Sequence, residues 1–156
     1  MKFTIRIAKQ SDKDEILRLL DEFREDCIFQ ITGEEGHSDS AVKHGENLFE
    51  VLLTLQDYGI FVAVDEENTI VGIITGYLCP MLRSGSYRAE IEEFFVKSGY
   101  RGKGIANELM DAFFDWCNEK GVKKVNLESD NELLRAHGFY KKYGFETKAQ
   151  RFVKKI

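Results

Sequence analysis

Residues 100–106 read Tyr-Arg-Gly-Lys-Gly-Ile-Ala (YRGKGIA). Before them, Ile91–Val96 (IEEFFV) has the composition of a largely buried strand, and after them Asn107–Cys117 (NELMDAFFDWC) carries apolar side chains at helical intervals. Glycines and cations thus stand where a strand gives way to a helix. A helix N-terminus exposes unpaired amide N–H groups and the positive end of the helix dipole, so it attracts anions. Glycines at 102 and 104 remove side chains that would keep a phosphate from those amides, and Arg101 and Lys103 add positive charge. Taken alone, the same seven residues are equally compatible with an ordinary strand-to-helix turn, so the flanking chain decides.

Toward the C-terminus, Ile105, Leu109, Ala112, Phe113 and Trp116 predict an amphipathic helix stopped by Gly121. Val122–Glu128 (VKKVNLE) predicts a fifth strand, and Asn131–Tyr143 (NELLRAHGFYKKY) a short helix ended at Gly144. Phe145–Ile156 (FETKAQRFVKKI) predicts one or two terminal strands. Toward the N-terminus, Ser86–Val96 is a fourth strand, preceded by a hairpin: Ile60–Val64 (IFVAV), a turn at Asp65–Asn68 (DEEN), and Thr69–Leu78 (TIVGIITGYL). Gly72 and Gly76 inside that second arm predict a bulge or a close approach of neighbouring groups. Phe3, Ile5 and Ile7 alternate as in a half-buried first strand. Ser11 then offers an N-cap with Asp14 at the capping-box position, ahead of a helix striped by Ile16, Leu20, Phe23 and Cys27. Thr32–Ser40 (TGEEGHSDS) reads as a polar loop, and Val42–Leu55 as a second helix with Leu48, Val51, Leu52 and Leu55 on one face. The order is βααβββαβαβ(β). It predicts one α/β domain over residues 1–156: a mixed sheet of six to seven strands flanked by about four helices.

Bulk properties narrow the function. A chain of 156 residues, 43% hydrophobic and 31% charged, is long enough to bury a sizeable core. Its formal net charge of −5 disfavours a general nucleic-acid binder, which depends on neutralising phosphates. No run approaches the ~18 apolar residues of a membrane span, and the first residues carry no apolar signal core, so neither membrane nor export is expected. Cys27, Cys79 and Cys117, odd in number and set among apolar residues, read as buried free thiols of a reducing, cytoplasmic compartment. His37 and His44 lack partner ligands at metal-binding spacing, so no metal is expected.

Two phosphate-binding loops fail on spacing. The G-x-x-x-x-G-K-[ST] loop would place lysine after Gly104, where Ile105 stands, and G-x-G-x-x-G meets Asn107 at its third glycine. The stretch instead resembles the Arg-x-x-Gly-x-(Gly/Ala) signature of the GNAT superfamily of N-acetyltransferases, with Arg101, Gly104 and Ala106 at the fixed positions. The resemblance extends over most of the chain. Arg6–Leu20 is similar to the family's opening strand and helix, Glu93–Met110 to its cofactor core, and Arg135–Glu146 to its closing helix and strand.

The resemblance implies an enzyme that transfers an acetyl group from acetyl-coenzyme A to a primary amine by direct attack. It implies that the pantetheine arm pairs like an added strand with the backbone of Phe95 and Val96, and that the pyrophosphate rests on Arg101, Gly102, Lys103, Gly104, Ile105 and Ala106. The chemistry needs a neutral amine, a polarised carbonyl and a protonated thiolate leaving group. By resemblance Tyr140 is the general acid, although an amphipathic core tyrosine would look the same. Glu92, with Glu90 beside it on the same strand face, is the candidate base, although these carboxylates could also bind a cation or face solvent. Asn131 either caps the last helix or touches the pantetheine. The acceptor stays open. Glu34, Glu35, Asp39 and Glu46 lean toward a small cationic amine. The alternatives are a protein lysine or N-terminus, or a non-catalytic module that senses the cofactor. Relatives often form homodimers.

Overall fold

The alternation of Phe3 and Ile5 becomes β1 (Phe3–Ile7), the outer strand of a five-stranded sheet in a computed structural model that describes residues 1–156. Its neighbours follow in chain order: β2 (Tyr58–Asp65), β3 (Ile70–Met81), β4 (Ser86–Val96) and β5 (Val125–Leu127). The first three pairings are antiparallel, and β5 lies parallel to β4. The central strands β2 and β3 are apolar on both faces because helices cover both. On one face α4 (Ile105–Glu119) buries Leu109, Met110 and Phe113 against Phe61, Ile74 and Ile91. On the other, α1 (Lys13–Thr32) and α3 (Glu46–Thr54) bury Ile16, Leu19 and Phe49 against Ile60, Ile73 and Phe95. Each such side chain contributes roughly 1.5–3 kcal/mol by leaving water. No helix is long and apolar enough to cross a membrane.

The start of α1 differs from expectation. Ser11 lies in a 3₁₀ turn, Gln10–Asp12, and Asp12 occupies the cap position. Its carboxylate accepts the Lys9 amide at 2.7 Å and both arms of Arg6, at 2.6 and 2.9 Å. A bidentate guanidinium reaching from β1 outweighs a lone serine hydroxyl. Arg6 holds Asp12 below the usual carboxylate range.

The expected second helix is two, α2 (Ser40–His44) and α3, broken at Gly45. In α3 the largest apolar side chain, Phe49, takes the buried position, and helical spacing brings Leu52 and Leu53 with it. Leu48, Val51 and Leu55, expected on the inner face, are exposed. The C-terminus differs as well. A short final helix, α5 (Leu134–Tyr143), ends at Gly144, but the residues beyond it form no strand, so the sheet has five strands and not six or seven. A strand exists only beside a partner, and this tail runs with Phe152 and Val153 exposed and pairs with none.

Two features of β4 shape the cavity beside it. Its ladder with β5 covers only Ala89–Ile91, so from Glu92 to Val96 its outer edge has no neighbouring strand. Its register with β3 also slips: Gly76 faces Ile91 while Ile74 faces Phe94, so Thr75 stands opposite both Glu92 and Glu93. This is a β-bulge. The sequence marks it with Gly76, where a Cβ would collide with the Glu90 carbonyl and sit 2.5 Å from the Phe113 ring.

Candidate active site

The open edge of β4 lines a cavity of about 610 Å³, which also touches α1, the loop before α4, the end of β5, and α5. Of the residues predicted from sequence, it brings together Glu92, Phe95, Val96, Arg101, Gly102, Gly104, Ile105, Ala106 and Tyr140. Three others lie outside its wall. Glu90 points toward Arg88, with 3.5 Å between carboxylate and Nε. Lys103 donates to the Gly99 carbonyl at 3.0 Å and sits 5.3 Å over the Tyr100 ring. Asn131 is exposed in the turn ahead of α5, two positions before the residue that caps that helix. In each case local geometry spends or turns away the group that the motif pattern assigned to the pocket.

The glycine loop has the conformation expected of an anion cradle. Gly102 and Gly104 take φ of 75° and 87°, the left-handed region that other residues avoid, and nothing stands within 4 Å of a Cβ built on either. The amides of Gly102 to Asn107 donate to no loop carbonyl, and the first to turn back is Glu108, to Gly104 O at 3.2 Å. These free N–H groups head α4 at the cavity wall. Arg101 is less a free cation than a brace. Its Nε donates to Val96 O at 2.8 Å, its guanidinium lies 5.4 Å over the Phe95 ring, and it pairs with Asp26 at 3.1 Å.

Asp26 was not legible as a site residue. It forms an ion pair with Arg101 and accepts from Arg135 at 3.2 Å and from Gln30 at 2.6 Å, tying α1 to the loop and to α5 across the cavity. Its signal was spacing: Phe23, Asp26, Cys27 and Gln30 line the cavity at helical intervals. Ser129 is a second omission. It lines the cavity beyond β5, and its buried Oγ has no hydrogen-bond partner.

Tyr140 meets Phe94 with ring centroids 6.2 Å apart and Phe145 at 5.9 Å. Burial, with a smaller effect from nearby Cys27, pushes its phenol up to about 12. At neutral pH it is therefore a neutral phenol, not a phenolate. Tyr143, one turn on, donates its hydroxyl to Asp111 of α4. All three cysteines are free, but only Cys117 is buried; Cys27 lies at the cavity wall and Cys79 is half-exposed, contrary to the expectation of three buried thiols.

The third omission is Glu93. The bulge turns it onto the α1/α3 face of the sheet, where Thr75 bonds both its carboxylate and its amide. Burial, and then the charge of adjacent Glu92, push its carboxyl up to about 7. One carboxylate at the cavity wall and a second behind it that titrates near neutrality form a pair suited to accepting a proton.

A smaller cavity of about 410 Å³ adjoins the first at Asp26 and Phe95 and is lined by Glu22, Glu25 and Glu35. Of the four loop acids singled out from sequence, Glu35 alone lines it. Glu34 is exposed, Asp39 pairs with Lys43 at 2.6 Å, and Glu46 pairs with Lys13 at 2.5 Å.

Comparison with known proteins bears on the family and the fold. A sequence-family profile described as "Acetyltransferase (GNAT) family" matches residues 16–145. The chain is 28% identical over 99 residues to N-acetyltransferase 8F1 of Rattus norvegicus, covering 64% of this chain and 45% of that protein. It is 31% identical over 85 residues to N-alpha-acetyltransferase 30 of Schizosaccharomyces pombe, covering 54% of this chain and 55% of the other. The chain thus spans about half the length of these curated relatives. The crystal structure of glucosamine-6-phosphate N-acetyltransferase from Arabidopsis thaliana superposes with a TM-score of 0.74 at 24% identity, over 99% of both chains, a likeness of fold.

Proposed function

The chain belongs to the acetyltransferase (GNAT) family, and from that premise we propose that it transfers an acetyl group from acetyl-coenzyme A to a primary amine by direct attack. The observation that carries the proposal is the shared cavity. One wall offers an unpaired strand edge for an extended amide-bearing arm, the next a glycine loop with free amides for phosphates, and the third a half-buried tyrosine. The unpartnered Ser129 hydroxyl adds a polar group to the same wall. Acetyl-coenzyme A supplies the acetyl group as an activated thioester. The residues of the chain then divide the proton traffic. The Glu92–Glu93 pair takes the proton from the acceptor ammonium, Glu92 facing the cavity and Glu93 holding proton affinity close to ambient pH. Backbone amides near the end of β4 polarise the acyl carbonyl. Tyr140 donates the proton that the sulfur leaving group requires.

A small cationic amine is the favoured acceptor. Glu22, Glu25, Asp26 and Glu35 line the adjoining cavity; Arg101 and Arg135 pair with Asp26 and Lys97 lies 4.0 Å from Glu22, so Glu25 and Glu35 supply the negative charge there that no lysine or arginine offsets. The test is thiol release from acetyl-coenzyme A, corrected for hydrolysis, across a panel of polyamines, aminosugars, single amino acids and peptides. Turnover confined to small cationic amines supports the reading. Turnover only with peptides would move the acceptor to a protein. Cofactor binding with no turnover of any amine would leave a sensing module in place of an enzyme.

A further inference from the structure

The bulge in β4 is closed by a side chain. Thr75 on β3 faces both Glu92 and Glu93 and is only 3% exposed. A bulge leaves one amide without its regular ladder partner. Here the Glu93 N–H donates to Thr75 Oγ1 at 3.1 Å, while the Thr75 hydroxyl donates to the Glu93 carboxylate. One hydroxyl, acting as donor and acceptor, holds the same residue by backbone and side chain. The neighbours Ile73 and Ile74 are fully buried, so a valine at 75 would suit this strand without desolvating a hydroxyl. The hydroxyl needs a reason beyond packing.

We propose that Thr75 is a positioning residue: it locks the bulge that leaves Glu92 at the cavity with Glu93 behind it, and its O–H sets the pH at which Glu93 ionises. Donation to a carboxylate favours the charged form, so it opposes the burial that drives Glu93 toward its neutral form. The other titratable and charged groups around Glu93 belong to the sheet. They are Glu92 on β4, with the Glu90–Arg88 pair further along it, Tyr58 on β2 and Tyr77 on β3. Tyr58 is pushed up to about 12, by burial first and Glu93 second, with a hydrogen bond to Thr75 opposing them, and stays neutral throughout the range in question. Helices α1 and α3 meet this face through Leu20, Phe23, Leu52 and Leu53, which do not titrate. The consequence for rate rests on the acetyl-transfer reading above, whereas the clamp itself is measurable in the protein alone.

The experiment is a ¹³C-carboxyl NMR titration of the full chain labelled at glutamate, with Glu93→Gln identifying the Glu93 signal. Thr75→Val should raise the Glu93 midpoint by about one pH unit, the size expected for losing a hydrogen bond to a charged group. Thr75→Ala should do the same should the valine variant fold poorly, and Thr75→Ser, which keeps the hydroxyl, should restore the wild-type midpoint. A midpoint that stays put in folded Thr75→Val or Thr75→Ala, or that moves as far in Thr75→Ser, overturns the proposal. The pH profile of amine acetylation, measured on the same variants, separates the two readings. A midpoint that moves while the acid limb stays fixed keeps the clamp and removes Glu93 from proton transfer.

Discussion

Replacing Glu93 by glutamine should make the protein more stable above neutral pH and less active at the same time. The carboxyl has an unfolded value of 4.5 and is pushed up to about 7 by the fold. The folded state therefore prefers the neutral acid. Stability associated with this group is fully present below about pH 4.5 and is lost as pH rises through about 7, because the ionised carboxylate is then held in a half-buried place where water solvates it less well than in the unfolded chain. The gap corresponds to about 3 kcal/mol at 1.36 kcal/mol per pH unit. Glutamine keeps the carbonyl that accepts from Thr75 and never ionises. Depressed carboxylates such as Asp12 and Asp21 are common to both proteins, so they cancel in the difference. The stability difference between Glu93→Gln and wild type should grow by about 3 kcal/mol between about pH 4.5 and pH 8. For a chain of this length that is about 6–12 °C in melting temperature. Urea titrations at a series of pH values, followed through the single tryptophan, Trp116, which packs on Phe61 and Phe113, measure it directly. A difference that is flat across this range would refute the burial argument, and with it the claim that Glu93 titrates near neutrality.

Three further outcomes are expected. Glu92→Gln should slow amine acetylation most at mildly acidic pH, where the acceptor is chiefly ammonium, and recover as pH rises; an unaltered pH–rate profile would take Glu92 out of the proton path. Gly104→Asp places a charged side chain at φ 87° in front of the free amides, so acetyl-coenzyme A should no longer raise the melting temperature; a full thermal shift in the folded variant would move the phosphate site elsewhere. Tyr140→Phe keeps the ring packed on Phe94 and Phe145, so stability should change by at most ~1 kcal/mol. Its turnover should fall about 10²-fold with cofactor affinity nearly constant, whereas Tyr143→Phe, which loses only the bond to Asp111, should turn over close to wild type. Wild-type turnover in Tyr140→Phe at a chemistry-limited rate would assign the proton to another donor.

Local pattern alone carried much of this molecule. The β2–β3 hairpin, the span of β4, the glycine loop, α4, and α5 ending at Gly144 all stand where periodicity, turn residues and helix stops put them. These signals act between residues a few positions apart, so the linear chain displays them. That Arg101, Gly104 and Tyr140 line one cavity follows from a related regularity: they stand at fixed offsets from those same elements. Features that depended on partners distant in the chain were not visible. Whether Phe145–Ile156 became a strand depended on a neighbour that is not there. Which face of α3 turned inward depended on the slot that Phe49 fills. Asp26 joined the cavity through Arg135, 109 positions away. Glu93 looked like one more acid on a strand until Thr75, on the strand alongside, met it across a bulge. A carboxyl's proton affinity is set by the water it loses and the groups brought up against it. Both belong to the packed arrangement of β3 on β4 and not to the residue itself.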